Sequence, residues 1–322
     1  MRDHVWQIRP QRNGAKGHTD TATWTQTVAE RASPEWVQSL SRRLITAGIA
    51  IPVVLAMVWF GGWVTFAGAL TIMGLGIFEL DRMFRKIGAQ PLTSFAFLVG
   101  LALLVGALFP TLRTLMQELT ITALVLGSLS WLLLRRQAGT ALMDWALTLV
   151  MALYLAWPLS YLMTLRGNTV AYHLTSGGLT ATDGTMRFWW LLVVFFGVWA
   201  FDSAAFFAGR FLGKHKLAPN VSPAKTWEGV IGGTIFAMVA AYVFTRPIAP
   251  AVAWYHIVAL GLLISFAATV GDLAESLIKR QADMKDSGSF FWGHGGVLDR
   301  IDSMLFVGVV IYFYAALIVH GV

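Results

Sequence analysis

The sequence predicts an all-α polytopic membrane protein, a bundle of about nine transmembrane helices with its N-terminus in the cytoplasm. Two observations predict this fold class. Of the 322 residues, 57% are hydrophobic and only 13% are charged, so a water-soluble globule would have too little polar surface. Apolar stretches approaching the roughly 20 residues that cross a bilayer core also recur from Leu44 to Val319.

The first 43 residues predict a separate polar region. Residues 1–31 lack the apolar core and the cleavage site of a secretory signal, so we expect them to remain as a mobile cytoplasmic tail. Ser33, Pro34 and Glu35 fit the N-cap, the first position and the acidic first turn of a short interfacial helix. We therefore divide the chain into this tail, residues 1–43, and a membrane-embedded catalytic domain, residues 44–322.

Nine apolar segments follow the tail. With the N-terminus inside, 20 of the 24 Lys and Arg residues lie on the cytoplasmic side, where basic residues are retained. The polar segments after the sixth and eighth helices then share the cytoplasmic face. The nine segments are Leu44–Phe60, Trp63–Met83, Leu92–Phe109, Leu119–Leu134, Trp145–Leu165, Phe188–Ala208, Gly229–Phe244, Trp254–Val270 and Met304–Val319.

The composition also limits the chemistry. Because the chain has no cysteine, disulfides, thiolate metal sites and cysteine nucleophiles are excluded. A metal ion would need oxygen or imidazole ligands, which favours magnesium over zinc. The net charge of +7 is typical of basic cytoplasmic loops that face anionic lipids, and no nucleic-acid-binding motif accompanies it. We therefore expect a lipid bilayer, and no nucleic acid, as the partner.

The segment from Ser276 to Asp302 is dense in charges of both signs. A loop that only anchors topology needs cations, whereas a site for phosphates and a metal ion needs cations and carboxylates. Within it, the glycines from Gly293 to Gly296 let backbone N–H groups approach an anion. Alone, such a stretch is more typical of a turn between helices, but its charged flanks favour an anion site. His294 could contact a phosphate or move a proton. The eight charged residues are Lys279, Arg280, Asp283, Lys285, Asp286, Asp299, Arg300 and Asp302.

Further carboxylates border this segment. On a helix, Asp272, Glu275, Ser276 and Lys279 fall near one face, and carboxylates at the edge of an apolar span indicate function because they are costly to bury. Asp299 and Asp302 are also three residues apart, where acidic side chains could instead complement a helix dipole.

A second polar segment runs from Asp202 to Gly229, where glycines alternate with cations such as Arg210. Asp202 lies inside an apolar run, either as a metal or substrate ligand or as the partner of a buried cation. Ser222 and Thr226 could cap the next helix, with Glu228 nearby. Lys225, placed in that helix's first turn, opposes its dipole and favours an anionic ligand. Five other cations lack carboxylate and glycine neighbours and are attributed to topology: Arg82, Arg85, Lys86, Arg135 and Arg136.

These residues resemble a known family. The segment Ser276–Asp302 closely resembles the C-terminal motif of the phosphatidate cytidylyltransferases, or CDP-diacylglycerol synthases, and Ser222–Gly229 and Gly271–Ser276 resemble the same family. Trp292 departs from the pattern, which usually has proline there. The matching positions are Ser276, Lys279, Arg280, Lys285, Asp286, Gly288, His294, Gly295, Gly296, Asp299, Arg300 and Asp302.

The resemblance implies transfer of CMP from CTP to phosphatidic acid, which gives CDP-diacylglycerol and pyrophosphate. It further implies a magnesium-dependent site, with K⁺ as a second candidate ion. We expect Asp272 and Asp299 to hold the metal ion, with Asp202, Asp286 and Asp302 as alternatives. Lys279, Arg280, Lys285 and Arg300 would hold phosphates, and Arg210 and Lys225 would close the site. Further substrate contacts are expected at Ser222, Thr226, Glu228, Ser276, Gly295 and Gly296.

Two other functions stay open at this point. A CTP-dependent lipid kinase would transfer the γ-phosphate, and an ion-coupled transporter would use Asp202 and Asp272 as ion ligands. The lack of cysteine and of a transit-peptide pattern fits a bacterial inner membrane. A homodimer is compatible with the sequence, which does not specify the oligomeric state.

Overall fold

The computed structural model describes residues 48–134, 141–167, 173–174, 179–180, 185–246, 253–288 and 295–319. The expected interfacial helix, Trp292 and His294 lie outside these residues. The described parts contain nine helices, which we label α1 Gly48–Phe60, α2 Gly62–Lys86, α3 Thr93–Leu108, α4 Pro110–Leu134, α5 Ala141–Arg166, α6 Thr185–Leu212, α7 Trp227–Thr245, α8 Trp254–Gln281 and α9 Leu298–Tyr314. They also contain two short antiparallel hairpins, β1 His173–Leu174 with β2 Leu179–Thr180, and β3 Lys216–Ala218 with β4 Ser222–Thr226.

The helix lengths confirm the all-α membrane fold but correct the number of spans. In the described part of the chain, seven helices, α2 and α4 to α9, are long and apolar enough to cross a membrane. The other two are shorter: α1 has 13 described residues and α3 has 16. At 1.5 Å per residue, α3 is about 24 Å long, which falls short of a hydrocarbon core of roughly 30 Å. The predicted nine spans therefore become seven long helices and two shorter apolar ones.

Several helices extend beyond the apolar runs that predict them. Helix α8 continues 11 residues past Val270, so Asp272 lies within the helix rather than at its end. Asp272, Glu275 and Lys279 do share a helix, as their spacing predicts. Lys225 corrects a second expectation, because it lies in β4 and not in the first turn of α7. Helix α7 begins at Trp227, after the β3–β4 hairpin has placed Lys216 opposite Thr226.

Helix α7 packs closely against α6 through glycines. A Cβ atom on Gly229 would lie 2.8 Å from the carbonyl oxygen of Ala205, and one on Gly233 would lie 2.6 Å from the ring of Phe201. Larger side chains would separate the two helices. This packing fixes the base of the β3–β4 hairpin.

Two apolar cores meet at α9. Val307 and Ile311 belong to a core with α6, α7 and α8, while Leu298 and Leu305 belong to a core with α2, α3 and α5. The start of α9, with Asp299, therefore lies beside the core that it shares with α2, α3 and α5, and the middle of the helix contributes to both cores.

Candidate active site

Lys279 joins α8 to the start of α9. Its Nζ lies 2.6 Å from Glu275 Oε2, one turn earlier on α8, and 2.5 Å from Asp299 Oδ1 on α9. All three side chains are nearly buried, with exposed fractions of 12% for Lys279, 2% for Glu275 and 10% for Asp299. Charges this far from water need partners. Lys279 therefore neutralises two carboxylates of the site.

The Asp299 carboxylate organises the glycine-rich loop. Its Oδ2 accepts hydrogen bonds from Ser287 N at 2.9 Å and from Gly296 N at 2.7 Å, and Ser287 Oγ lies 2.8 Å away. Gly295 has a φ of +79°, and a Cβ atom there would lie 2.3 Å from Oδ2, so only glycine fits. Of the glycine stretch from Gly293 to Gly296, the N–H group of Gly296 approaches an anion in this structure. Here that anion is the Asp299 carboxylate.

Glu79 on α2 is a buried site residue that the sequence motifs did not reveal. Its Oε1 accepts a hydrogen bond from Val297 N at 2.8 Å, and its Oε2 accepts one from Leu298 N at 3.0 Å. Ser287 Oγ lies 3.1 Å from Oε2. Glu79 thereby satisfies N–H groups at the start of α9, which no preceding turn of helix can satisfy. A carboxylate inside an apolar run indicates function, and Glu79 meets this criterion as Asp202 does.

The cations at the C-terminal end of α2 have partners that the sequence did not predict. Arg85 Nε lies 2.7 Å from Asp81 Oδ2, one helical turn earlier, and Thr93 Oγ1 donates to the other oxygen of Asp81. Lys86 Nζ donates to the carbonyl oxygen of Asp283 at 2.7 Å. Arg85 therefore has a carboxylate partner, and Lys86 holds the segment that follows α8. The prediction that Arg85 lacks a carboxylate neighbour was wrong, and the topological role of both cations stays a prediction.

The β3–β4 hairpin reaches α8 through Lys225. Its Nζ lies 2.5 Å from Asp272 Oδ2, and Ser276 Oγ donates to Asp272 Oδ1 at 3.3 Å. Arg280 Nε donates to the carbonyl oxygen of Val221 at 3.4 Å, a second contact between α8 and the hairpin. The anion that Lys225 faces in this structure is thus a site carboxylate.

Three carboxylates, one each on α6, α8 and α9, lie within electrostatic range of one another. They are Asp202, Asp272 and Asp302, and Lys225 is a nearby cation. Asp302 is buried, accepts a hydrogen bond from Ser303 N at 2.7 Å and is the fifth residue of α9. It lies beyond the first turn, so the helix dipole does not account for it.

The side chains of this cluster are of the chemical type that binds divalent cations. Like charges held in proximity favour a cation between them, and carboxylate oxygens are the ligands that magnesium prefers. Among the described residues, no three acidic or imidazole side chains are close enough to form a complete metal site by themselves. Phosphate oxygens and water would supply the remaining ligands of a magnesium ion.

Other predicted site residues stabilise the hairpin. Thr226 Oγ1 accepts a hydrogen bond from Gly229 N at 3.2 Å, which confirms Thr226 as the N-cap of α7. Glu228 accepts hydrogen bonds from the backbone N–H groups of Lys214 at 3.1 Å and His215 at 3.3 Å, and it pairs with the His215 ring at 2.6 Å. Ser222 lies in β4, opposite Ala218. The substrate contacts expected of Ser222, Thr226 and Glu228 remain predictions.

The other predicted phosphate-binding cations have exposed side chains, in contrast to the nearly buried Lys279. They are Arg210, Arg280, Lys285 and Arg300. Asp286, an alternative metal ligand, is exposed as well.

Comparisons with known proteins give a consistent result. The model of the Cytidylyltransferase family matches residues 41–318. A phosphatidate cytidylyltransferase of Brucella suis is 33% identical over 281 residues, which cover 87% of this chain and 95% of the relative. One from Bacillus subtilis is 34% identical over 286 residues, covering 86% and 98% of the two chains. One from Haemophilus influenzae is 51% identical over 119 residues, or 35% of this chain and 41% of the relative.

Proposed function

This chain belongs to the cytidylyltransferase family, and we propose that it transfers CMP from CTP to phosphatidic acid, forming CDP-diacylglycerol and pyrophosphate. The observation that carries this proposal is the likeness to phosphatidate cytidylyltransferases over nearly the whole chain, together with the cations and carboxylates that α6, α8, α9 and the hairpin bring together. Neither the comparisons nor the described site favours a lipid kinase or a transporter.

The chemistry demands positioning more than acid–base catalysis. A phosphate oxygen of the lipid attacks the α-phosphorus of CTP, and the bond from this phosphorus to the oxygen bridging to the β-phosphate breaks. Pyrophosphate leaves with that oxygen and its electron pair. Because a phosphate monoester is largely dianionic at neutral pH, no residue has to remove a proton from the nucleophile. The protein has to align two anions and neutralise their charge.

The cations of the site suit this task in two groups. Arg210, Arg280, Lys285 and Arg300 are exposed and can meet a soluble triphosphate directly. Lys225 and Lys279 already hold carboxylates, so bound phosphates or a metal ion would compete for these partners. His294, outside the described residues, remains a candidate for a phosphate contact.

A magnesium ion is part of this proposal, with Asp272 and Asp299 as its protein ligands. When bound, it would neutralise charge on the triphosphate. Asp272 is the more accessible ligand, because its side chain is 32% exposed and Asp202 and Asp302 lie nearby. Asp299 would bind through Oδ1, which it shares with Lys279, because its Oδ2 is occupied by the loop. Asp202, Asp286 and Asp302 are the alternative ligands, and K⁺ is the candidate for a second ion beside the same carboxylates.

The location of the site follows from the two substrates. The acyl chains of phosphatidic acid can stay in the bilayer while its headgroup meets CTP at the interface, so the lipid need not be extracted. The excess of Lys and Arg in the segments assigned to the inside supports a site on the cytoplasmic face, within a bacterial inner membrane.

Radiolabelled CTP tests the reaction directly. Purified full-length protein is mixed with phosphatidic acid in detergent micelles, magnesium and CTP labelled at either the α- or the γ-phosphate. We expect the α-label to enter the lipid and pyrophosphate to be released. Entry of the γ-label would instead identify a lipid kinase, and absence of both products would refute the proposed transfer.

A further inference from the structure

Tyr154 lies beside the site but belongs to none of the motifs. It is the third residue of a π-helical turn, Ala152–Ala156, that interrupts α5, and such turns occur frequently at functional sites. Its ring packs edge-on against Phe306 of α9, with ring centroids 6.2 Å apart. A Cβ atom on Gly271 would lie 3.1 Å from the Phe306 ring and 2.6 Å from the carbonyl oxygen of Asp302. Tyr154 therefore adjoins a close contact between α8 and α9 at Gly271, the residue before Asp272.

The hydroxyl group of Tyr154 is buried and has no hydrogen-bond partner among the described residues. A buried tyrosine hydroxyl usually finds a partner, because leaving a donor unsatisfied away from water is unfavourable. This one lies within electrostatic range of the carboxylates of Glu275, Asp302, Asp272 and Asp299. No acceptor oxygen of these groups is within hydrogen-bonding distance of it. The free protein thus holds an unused donor at the edge of its carboxylate cluster.

A phosphate oxygen is the acceptor that the proposed reaction brings to this place. The tyrosine hydroxyl is neutral, so it forms no ion pair that an incoming phosphate would have to break, unlike Lys225 and Lys279. Glu275 Oε1, also buried and unpartnered, is itself an acceptor and cannot be satisfied by a phosphate oxygen. Of these two groups, only the Tyr154 hydroxyl can donate a hydrogen bond to an anionic substrate; the hydroxyls of Thr120 and Thr269 are also buried without a partner among the described residues.

We propose that the Tyr154 hydroxyl donates a hydrogen bond to a phosphate oxygen of a bound substrate, either CTP or the phospholipid. This role rests on the proposed function.

Tyr154→Phe tests the role because it removes only the hydroxyl oxygen. We expect kcat/KM for CMP transfer to fall about 10- to 100-fold, since a hydrogen bond to a charged group is lost. The unfolding temperature in detergent should stay equal to that of the wild type or rise, because no bond of the free protein is removed. A raised KM for CTP alone would identify the nucleotide as the acceptor, and a raised KM for phosphatidic acid alone would identify the lipid. A lower kcat with both KM values unchanged would place the bond on the transferred phosphate in the transition state.

Tyr314→Phe is the matched control. The Tyr314 hydroxyl lies 2.6 Å from Nδ1 of His256, so its removal deletes a hydrogen bond of the free protein. This variant should lower the unfolding temperature and leave kcat/KM unchanged. The proposal is overturned if Tyr154→Phe has wild-type activity, or if it lowers the unfolding temperature as Tyr314→Phe does, since a structural bond would then explain the residue. Lack of transfer by the wild-type protein would refute the proposed function instead.

Discussion

Lys225 and Lys279 each bind a carboxylate in the free protein, but in different environments. The Lys225–Asp272 pair is partly exposed, with 22% of the lysine and 32% of the aspartate side chain accessible, whereas the pairs of Lys279 are nearly buried. Removing one partner of a buried pair leaves an uncompensated charge, while an exposed pair is screened by water. The two lysines should therefore differ in their effects on stability, although both belong to the site.

Replacing each lysine with methionine tests this difference. Lys279→Met should lower the unfolding temperature strongly, because it leaves Glu275 and Asp299 without a cation, a change of about 3–5 kcal/mol for a buried pair. Lys225→Met should change stability little, by about 1 kcal/mol or less. Both should reduce CMP transfer about 100-fold or more. Thermal unfolding and transfer assays on the same preparations check this, and equal loss of stability in both variants would contradict it.

Replacements of the two proposed metal ligands should also differ in their effect on stability. Asp272→Asn should abolish transfer with little loss of stability, because Asp272 has one partly exposed ion pair and one long hydrogen bond. Asp299→Asn should abolish transfer and also destabilise the protein. The Asp299 carboxylate accepts hydrogen bonds from Ser287 N and Gly296 N through one oxygen and pairs with Lys279 through the other. An asparagine side chain has only one acceptor oxygen, so it cannot replace both. Full transfer activity in either variant would exclude that residue as a metal ligand.

Glu79 uses both oxygens of its carboxylate to accept hydrogen bonds from the start of α9. Glu79→Gln should reduce transfer and destabilise the protein by about 1–3 kcal/mol, because an amide NH₂ would face a backbone N–H at Val297 or Leu298. Glu118→Gln, at an exposed position on α4, is the matched control and should change neither property. Wild-type transfer and stability in Glu79→Gln would show that the start of α9 does not depend on this carboxylate.

At the scale of elements, the close packing of α7 against α6 depends on glycine at positions such as Gly229 and Gly233, where a side chain would clash with α6. Gly229→Ala should destabilise the protein by about 1–3 kcal/mol, because its Cβ atom would press on the carbonyl oxygen of Ala205, which cannot move freely. Gly74→Ala in α2 is the control, since its Cβ atom would make only an ordinary contact with Phe97 at 3.7 Å. Unfolding temperatures that rank these two variants in the opposite order would refute the packing argument.

The elements show what hydropathy can and cannot predict. An apolar run predicts only the part of a helix that is buried in lipid, so hydropathy predicts the first part of α8. The continuation of this helix through Asp272 and Lys279 is indicated only by the helical spacing of the charged residues. The strands β3 and β4 were missed because five or fewer residues with no apolar alternation carry no periodic signal. As a result, Lys225 was assigned to the wrong element, and its binding of an anionic ligand stays a prediction, because it pairs with Asp272 in this structure.

For the molecule as a whole, metal binding should appear as a change in global stability. A ligand that binds only the folded state stabilises it, and a cation would also relieve repulsion among Asp202, Asp272 and Asp302. We expect millimolar MgCl₂ to raise the unfolding temperature of the wild type but not of Asp272→Asn. Chelation by EDTA should abolish transfer, and added Mg²⁺ should restore it. Equal stabilisation of both proteins would argue against Asp272 as a ligand.

The contact between the two charged segments was predictable, but their link to α2 was not. Residues of the segment from Asp202 to Gly229 do contact α8 and the segment from Ser276 to Asp302, as Lys225 and Val221 show. The contact between Glu79 and Val297 joins residues 218 positions apart, and no local pattern relates them. The role of Tyr154 likewise depends on a neighbouring helix, because an isolated tyrosine in an apolar run is typical of ordinary packing.

The same long-range contact has a consequence for biosynthesis. Glu79 is made 218 residues before Val297, which corresponds to roughly 10–40 s at the usual rate of about 5–20 residues per second. During that time α2 carries an acidic side chain whose final N–H partners have not yet been synthesised. A chain that stops before α9 would lack the N–H groups of Val297 and Leu298 that this carboxylate binds. Synthesis of the last helix therefore supplies the hydrogen-bond donors for a side chain that was inserted with the second one.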